Sequence, residues 1–329
     1  MPLCLTMIVR NEAKVLQRCL GAARPFVDRA VIVDTGSTDD TMAIATRTLK
    51  QLELPGLVIP SDWKGFGPSR TEAFKHAREF VQCVPEIPSR RRATSTPQRT
   101  RRLPKPTTRP VSSDKLEDWY AVVVDADELM SGSLPSAMSA DAYGVWMQIN
   151  NVRYKSVRVF RLDHVWRYVG VLHEFPTTDA QWQDEMMETL TIDPTRQDGA
   201  RSNDPDKYAN DATVLEKAFN DESDQALRAR YAFYCAQSYR DARQDEPAAR
   251  WYLRRAEMGG GYNWEEIYVA LLEAGRAFER LSQFALAERT YLRAHHQWPA
   301  RAEASRELAR IFSAKAAEAK PVGALFVEI

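Results

Sequence analysis

Cysteine is scarce in this chain of 329 residues: there are four, Cys4, Cys19, Cys83 and Cys235, and none forms a CxxC pair. No histidine cluster stands at zinc spacing either, so the thiols read as free and the compartment as reducing. Long hydrophobic runs are absent as well. Nothing reaches the roughly eighteen consecutive apolar residues a membrane-spanning helix needs. The opening MPLCLTMIVRNE is interrupted by Thr6 and closed by Arg10, which is too short and polar for a secretory signal, and a cytoplasmic location is expected. A charge excess is missing too. Lys plus Arg and Asp plus Glu number 45 each, for a formal net charge of zero, so the whole chain announces neither nucleic acid nor an anionic membrane. Glycine fingerprints are also lacking. No GxGxxG follows the first apolar run and no GxxxxGK[ST] occurs anywhere, which argues against dinucleotide hydride transfer and P-loop chemistry.

What is present begins as an alternation. Leu3–Val9, Ala30–Val33, Leu57–Ile59 and Val122–Val124 are continuous apolar runs. Helical patterns separate the first three, through Val15, Leu16, Cys19 and Leu20 and over about Asp39–Lys50, and a third runs over Ser69–Val81. Ser37 or Thr38 is the expected cap of the second helix, with Asp39 and Asp40 at the positive end of its dipole. Such β-α-β units predict a mostly parallel sheet covered on both faces, an α/β domain over 1–200. Tyr143–Asn150, Val152–Arg161 and Trp166–Glu174 alternate in the manner of antiparallel strands.

A basic insertion interrupts this domain at 85–116. Ser89–Ser113 holds eight basic residues, four prolines and no acid, a composition that cannot bury a core and reads as a disordered surface loop. It is the one place where an acidic partner or nucleic acid has a foothold, although nucleic acid is not the expected partner. From 201 to 329 the chain reads as all-helical, with candidate helices at Asp204–Asn220, Gln225–Asp241, Pro247–Met258, Trp264–Leu281, Phe284–Gln297 and Arg301–Ala317. Tyr252-Leu-Arg-Arg-Ala echoes Tyr291-Leu-Arg-Ala, which points to degenerate tetratricopeptide-like hairpins; an ordinary helical bundle is the alternative. Such a region can hold a protein partner or a second copy.

The chemistry is expected at strand ends, where open α/β sheets bind ligands. Three carry polar groups: Arg10-Asn11-Glu12, Asp34-Thr-Gly-Ser, and Asp125-Ala-Asp127-Glu128. Without a glycine loop, phosphates need another source of positive charge. A divalent cation on carboxylates supplies it, and Mg2+ and Mn2+ prefer oxygen ligands. In an extended Asp-x-Asp both side chains point the same way. A haloacid dehalogenase-type phosphatase also uses DxD, but near its first strand and followed by a Thr that this chain lacks.

Together LTMIVRNE, VIVDTGSTDDT, Trp63-x-x-Phe-Gly-x-x-Arg70, VVVDADEL and WRYVGVLHEF resemble family 2 glycosyltransferases of the GT-A fold. DGARSNDPDKYANDATVLEKAF and RYAFYCAQSYRDA narrow the resemblance to a subgroup with a C-terminal tetratricopeptide-like region. The resemblance implies inverting transfer of a sugar from a nucleotide-diphosphate donor, usually UDP-linked, with Mn2+ or Mg2+. By position it implies Arg10, Asn11 and Glu12 around the base and ribose, Asp34 on the base, and Arg70 on the base or diphosphate. Asp125 would face the ribose or metal and Asp127 would bind the metal. The family often has Asn before the arginine, where this chain has Ser69, and its usual connection is shorter than the basic insertion.

His173-Glu174 completes the candidate set. An inverting transfer needs a carboxylate to take the acceptor's proton, and a metal accepts an imidazole as third ligand. Glu174 is assigned as base and His173 as metal or diphosphate ligand, with the roles open to exchange or one of the two structural, and Glu128 and Asp163 as rival bases. Asp198-Gly-Ala-Arg201, between the domains, is a candidate to close over the site. A nucleotidyltransferase-like enzyme and a degenerate transferase serving as a scaffold are the alternatives. Neither sugar nor acceptor is named by the sequence.

Overall fold

The computed structural model describes residues 1–83, 116–194, 198–261 and 263–318. Apart from Leu116, the basic insertion lies outside the described residues. The chain divides into two compact units, Met1–Gly170 with Glu174–Asn203, and Val171–His173 with Asp204 onward.

In the first unit β1 (Leu3–Val9), β2 (Arg29–Asp34), β3 (Gly56–Pro60) and β4 (Tyr120–Val123) pair in parallel, in the order β3-β2-β1-β4. The sheet continues with β7 (Val152–Arg161), β6 (Ala142–Ile149), β10 (Asp184–Asp193) and β5 (Leu129–Gly132). β7 is antiparallel to both β4 and β6, β6 is parallel to β10, and β5 is antiparallel to β10. This eight-stranded sheet is mixed and mostly parallel, as the sequence led us to expect. β5 and β10 were not foreseen. β5 is only four residues at the sheet edge, and β10 mixes acids and threonines with its apolar residues, so neither presents a buried run.

The period of two sorts the strand side chains onto two faces. Leu3, Leu5, Met7, Ile32, Tyr120 and Val122 pack against α1 (Leu16–Ala23) and α2 (Thr41–Gln51). Cys4, Val31, Val33, Ala121 and Val123 meet Ala73, Phe74, Ala77 and Val81 of α3 (Phe66–Cys83). Burying each large aliphatic side chain contributes about 1.5–3 kcal/mol, and a one-residue slip of β1 would forfeit both faces at once.

The second unit holds α4 (Lys207–Asp221), α5 (Gln225–Asp241), α6 (Asp245–Glu257), α7 (Glu265–Arg280), α8 (Phe284–Gln297) and α9 (Ala302–Glu318), each packed on the next. The α5–α6 and α7–α8 hairpins are copies at one spacing. Arg243 and Ser282 occupy the left-handed region in the two turns, with φ 59° and 60°. At the same offset Ala236 matches Gly275, Ala248 matches Ala287 and Tyr252 matches Tyr291, and the five of these that belong to the core are fully buried. Gly275 lies so close to Tyr291 that a Cβ there would stand 2.4 Å from its ring. The repeat is therefore built into the packing, as tetratricopeptide-like hairpins require. No described helix is long and apolar enough to cross a membrane.

Candidate active site

The carboxyl end of β1 turns sharply at Asn11, which takes φ 58°, a conformation asparagine tolerates. Its N–H donates to Ser37 Oγ at 2.9 Å and its Oδ1 accepts from Thr38 N at 2.7 Å. Ser37 and Thr38 thus tie β2's end to β1's end, and the expected cap falls elsewhere: Asp40 precedes α2, and Asp39 accepts from Thr41 N and Oγ1. Thr41 Oγ1 in turn receives Glu12 N at 2.8 Å. Arg10 is exposed beside this turn.

Asp34 closes β2 at 2% exposure. Its Oδ1 accepts from Gly36 N and Ser37 N at 3.0 and 2.8 Å, whereas Oδ2 is buried without a partner. A buried carboxylate oxygen left bare is costly, which marks a place where a donor is missing.

Beyond β4 the backbone folds back, with Glu128 N donating to Asp125 O at 3.0 Å. Arg70 of α3 reaches this turn: Nη2 donates to Asp125 Oδ1 at 2.8 Å and Nε to Glu174 Oε1 at 2.7 Å. Its guanidinium lies 5.9 Å from the Tyr168 ring centre, and Nη1 is buried with no partner. Burial works against the charge on Arg70, but Asp125 and Glu174 outweigh it and fix the cation. Burial likewise pushes the Asp125 carboxyl up, and Arg70 with Arg158 brings it below the ordinary range. Glu128 is 4% exposed, with Oε1 on Arg158 Nη2 at 3.0 Å and Oε2 on Asp125 N at 2.8 Å.

Asp127 and Glu12 behave differently. Burial raises both, neighbouring carboxylates add to it, and Glu12 reaches about 7. Asp125 and Asp127 act on Glu12, and Asp125 and Asp198 act on Asp127. Partial relief comes from the segment 198–201. Ala200 N donates to both Glu12 oxygens at 3.2 and 3.1 Å, and Gly199 N serves Asp127. This strap is held by a two-pronged ion pair between Arg18 of α1 and Asp198, at 2.8 and 2.6 Å, and by Arg201 over the Phe66 ring at 4.8 Å. The strap thus touches two members of the candidate set, Glu12 and Asp127.

The extended segment expected over Trp166–Glu174 is broken. β8 (Arg167–Val169) pairs with β9 (Phe175–Thr177), and the chain turns between them through Gly170 and His173, at φ 111° and 52°. His173 groups with the second unit, where its ring stacks on Tyr234 at 3.9 Å. Glu174 groups with the first and meets Arg70. The rival bases are engaged elsewhere, Glu128 as above and Asp163 with Arg161 Nε at 2.8 Å beside a cavity of about 400 Å³. Among the described residues no three His, Cys, Asp or Glu side chains are gathered at metal-ligand spacing.

The structure therefore brings together Glu12, Asp125, Asp127, Arg70 and Glu174 as partners or electrostatic neighbours, and sets Asp34 with Asn11 at the adjoining strand ends. The family model of glycosyl transferase family 2 matches residues 4–81. Glu12, Asp34 and Arg70 fall inside that family match, while Asp125, Asp127 and Glu174 lie beyond it.

Two curated relatives match over short stretches. A TPR repeat-containing protein of Synechococcus elongatus is 40% identical over 74 residues, covering 22% of this chain. An uncharacterized glycosyltransferase of Rickettsia felis is 37% identical over 60 residues, covering 18%. The matches span only 17% and 19% of those relatives' own lengths. Among solved structures, S. aureus TarS residues 1–349 in complex with UDP-GlcNAc aligns over 97% of this chain and 92% of that one, at 12% identity and a TM-score of 0.35.

Two groups escaped the sequence reading. Arg158 stands in β7 between valines, and an arginine facing the interior of such a strand is a signal that a buried acid awaits it. The role of Arg18 was hidden because its partner Asp198 is 180 positions away.

Proposed function

We propose that this chain is an inverting glycosyltransferase that moves a sugar from a nucleotide-diphosphate donor, UDP-linked, to an acceptor hydroxyl, with Mn2+ or Mg2+. The observation that carries this is the gathering of Glu12, Asp125 and Asp127 beyond β1 and β4, where burial first and neighbouring carboxylates second raise Glu12 and Asp127. Carboxylates that resist sharing negative charge are relieved by a hard cation with oxygen ligands. Asp125 and Asp127 would hold it, with His173 proposed as third donor. When bound, the metal supplies positive charge against the donor diphosphate.

The other roles follow from free valence and position. The bare Asp34 Oδ2 accepts from the N–H edge of the base, and Arg10, Asn11 and Glu12 border base and ribose. Arg70 offers its buried Nη1 to the diphosphate and stabilises the leaving charge. Glu174, held by Arg70 through Oε1, takes the proton of the acceptor hydroxyl. The acceptor oxygen then bonds to the anomeric carbon on the face opposite the departing nucleoside diphosphate, and the configuration inverts. A cytoplasmic location and a protein or self partner for the helical unit belong to the same reading.

The test is a panel of nucleotide sugars incubated with Mn2+, scored for nucleoside diphosphate release. Asp125→Ala and Asp127→Ala are expected to abolish it in folded protein. Release of pyrophosphate instead would indicate a nucleotidyltransferase.

A further inference from the structure

Glu128 was a rival base, yet neither of its oxygens is placed to take a proton from a substrate. We infer that Glu128, clamped by Arg158, is a positioning residue that fixes the turn presenting Asp125 and Asp127. The inference rests on the metal-dependent reading of this site and names what sets its geometry.

The argument begins with cost. A buried acid and a buried arginine are a poor source of stability, since apolar residues of similar volume would do as well or better. Here the pair does something apolar residues cannot. Glu128 Oε2 accepts the Asp125 backbone N–H at 2.8 Å while Glu128 N donates to Asp125 O at 3.0 Å. The residue therefore closes the turn at both polar atoms of Asp125's backbone, with Ala126 and Asp127 enclosed between. Arg158 Nη2 at 3.0 Å holds the other carboxylate oxygen and stops the side chain from swinging out.

The clamp has a second side. Asp125 Oδ1 is fixed by Arg70 Nη2 at 2.8 Å, and Arg70 is fixed by Glu174 at 2.7 Å. Cys19 Sγ, at 3.4 Å from Asp125 O, closes the remaining approach to that carbonyl. Asp125 is thus gripped at backbone nitrogen, backbone oxygen and side chain. The Asp127 carboxylate is met by backbone N–H groups, its own and that of Gly199, rather than by a side-chain ion pair like that of Asp125. Its place depends on the turn, and the turn depends on Glu128. Ligand-orienting groups of this kind, one bond removed from the metal, commonly govern affinity.

The experiment compares full-length wild type with Glu128→Gln, whose single acceptor oxygen cannot serve both Arg158 and the Asp125 N–H. UDP binding is titrated with and without Mn2+, and the Mn2+ electron paramagnetic resonance line shape is recorded with UDP present. Expected is metal-dependent UDP affinity about tenfold weaker, an altered Mn2+ line shape, and unchanged metal-free UDP binding. A merely structural role would lower thermal stability and leave the line shape alone. Folded Glu128→Gln with wild-type affinity and line shape overturns the inference while leaving the nucleotide reading intact. Wild type without Mn2+-dependent UDP binding overturns both. If Glu128→Gln does not fold, Arg158→Lys is read in the same way, with a loss of about threefold expected from the weaker, unforked contact and wild-type behaviour again overturning it.

Discussion

Arg70 and Asp125 stand 55 positions apart in the chain and 2.8 Å apart in the fold. The same guanidinium holds Glu174 at 2.7 Å, so one cation serves two of the proposed functional carboxylates. Whatever disturbs the arginine disturbs the donor-holding acid and the proposed base together.

Arg70→Ala should therefore act on stability as well as binding. It leaves the largely buried Glu174 without its partner, while Asp125, a third exposed, keeps Arg158 nearby, so a loss of about 1–3 kcal/mol is expected. Urea denaturation should show that loss, and UDP affinity should fall by about 10–100-fold as charge-assisted hydrogen bonds disappear. Unchanged stability would mean that water reaches the two carboxylates freely.

The pH dependence of the metal-free protein follows from Glu12 and Glu128. Both are raised from 4.5 to about 7, chiefly by burial. The folded state thus holds these protons more tightly than the unfolded chain does. Their contribution to stability is full below pH 4.5 and is lost as pH rises through about 7. Thermal melts should show that Glu12→Gln flattens this loss. Mn2+ affinity should rise with pH across the same window, since a cation competes with protons for the cluster; a pH-independent affinity counts against the carboxylate site.

Gly199 approaches Asp127 closely: a Cβ there would meet Oδ2 at 2.9 Å. Gly199→Ala should push the strap off the site at a cost of about 1–3 kcal/mol or shift Asp127. Either way, calorimetry with Mn2+ and UDP should detect altered affinity, while the sheet's far-UV signal stays constant.

His173→Ala tests the third ligand. If the imidazole binds the metal, Mn2+ affinity should drop by about tenfold or more. An unchanged affinity would leave the metal to Asp125 and Asp127, with His173 serving only its stack on Tyr234.

Gly275→Ala isolates the helical unit. Alanine favours a helix by about 1 kcal/mol over glycine, but the added Cβ at 2.4 Å from the Tyr291 ring forces repacking. Net destabilisation in urea is expected, and a gain in stability would show that the ring yields without strain.

The local pattern of the chain determined much of this protein. Val31 and Ile32 lie on opposite faces of β2 because strand side chains alternate, and α5 and α8 have the bounds their apolar periodicity indicated. Asp125 and Asp127 could be placed at a strand end because four apolar residues precede them. Tertiary structure alone decided the pairings that cross the chain. Arg158 finding Glu128, Arg70 bridging Asp125 and Glu174, and Asp198 reaching Arg18 are contacts between elements, and no local period encodes which charge meets which. The turn at His173 was decided in the same way. Its left-handed backbone divides the neighbours His173 and Glu174 between two compact units, whereas apolar alternation alone had described one continuous strand.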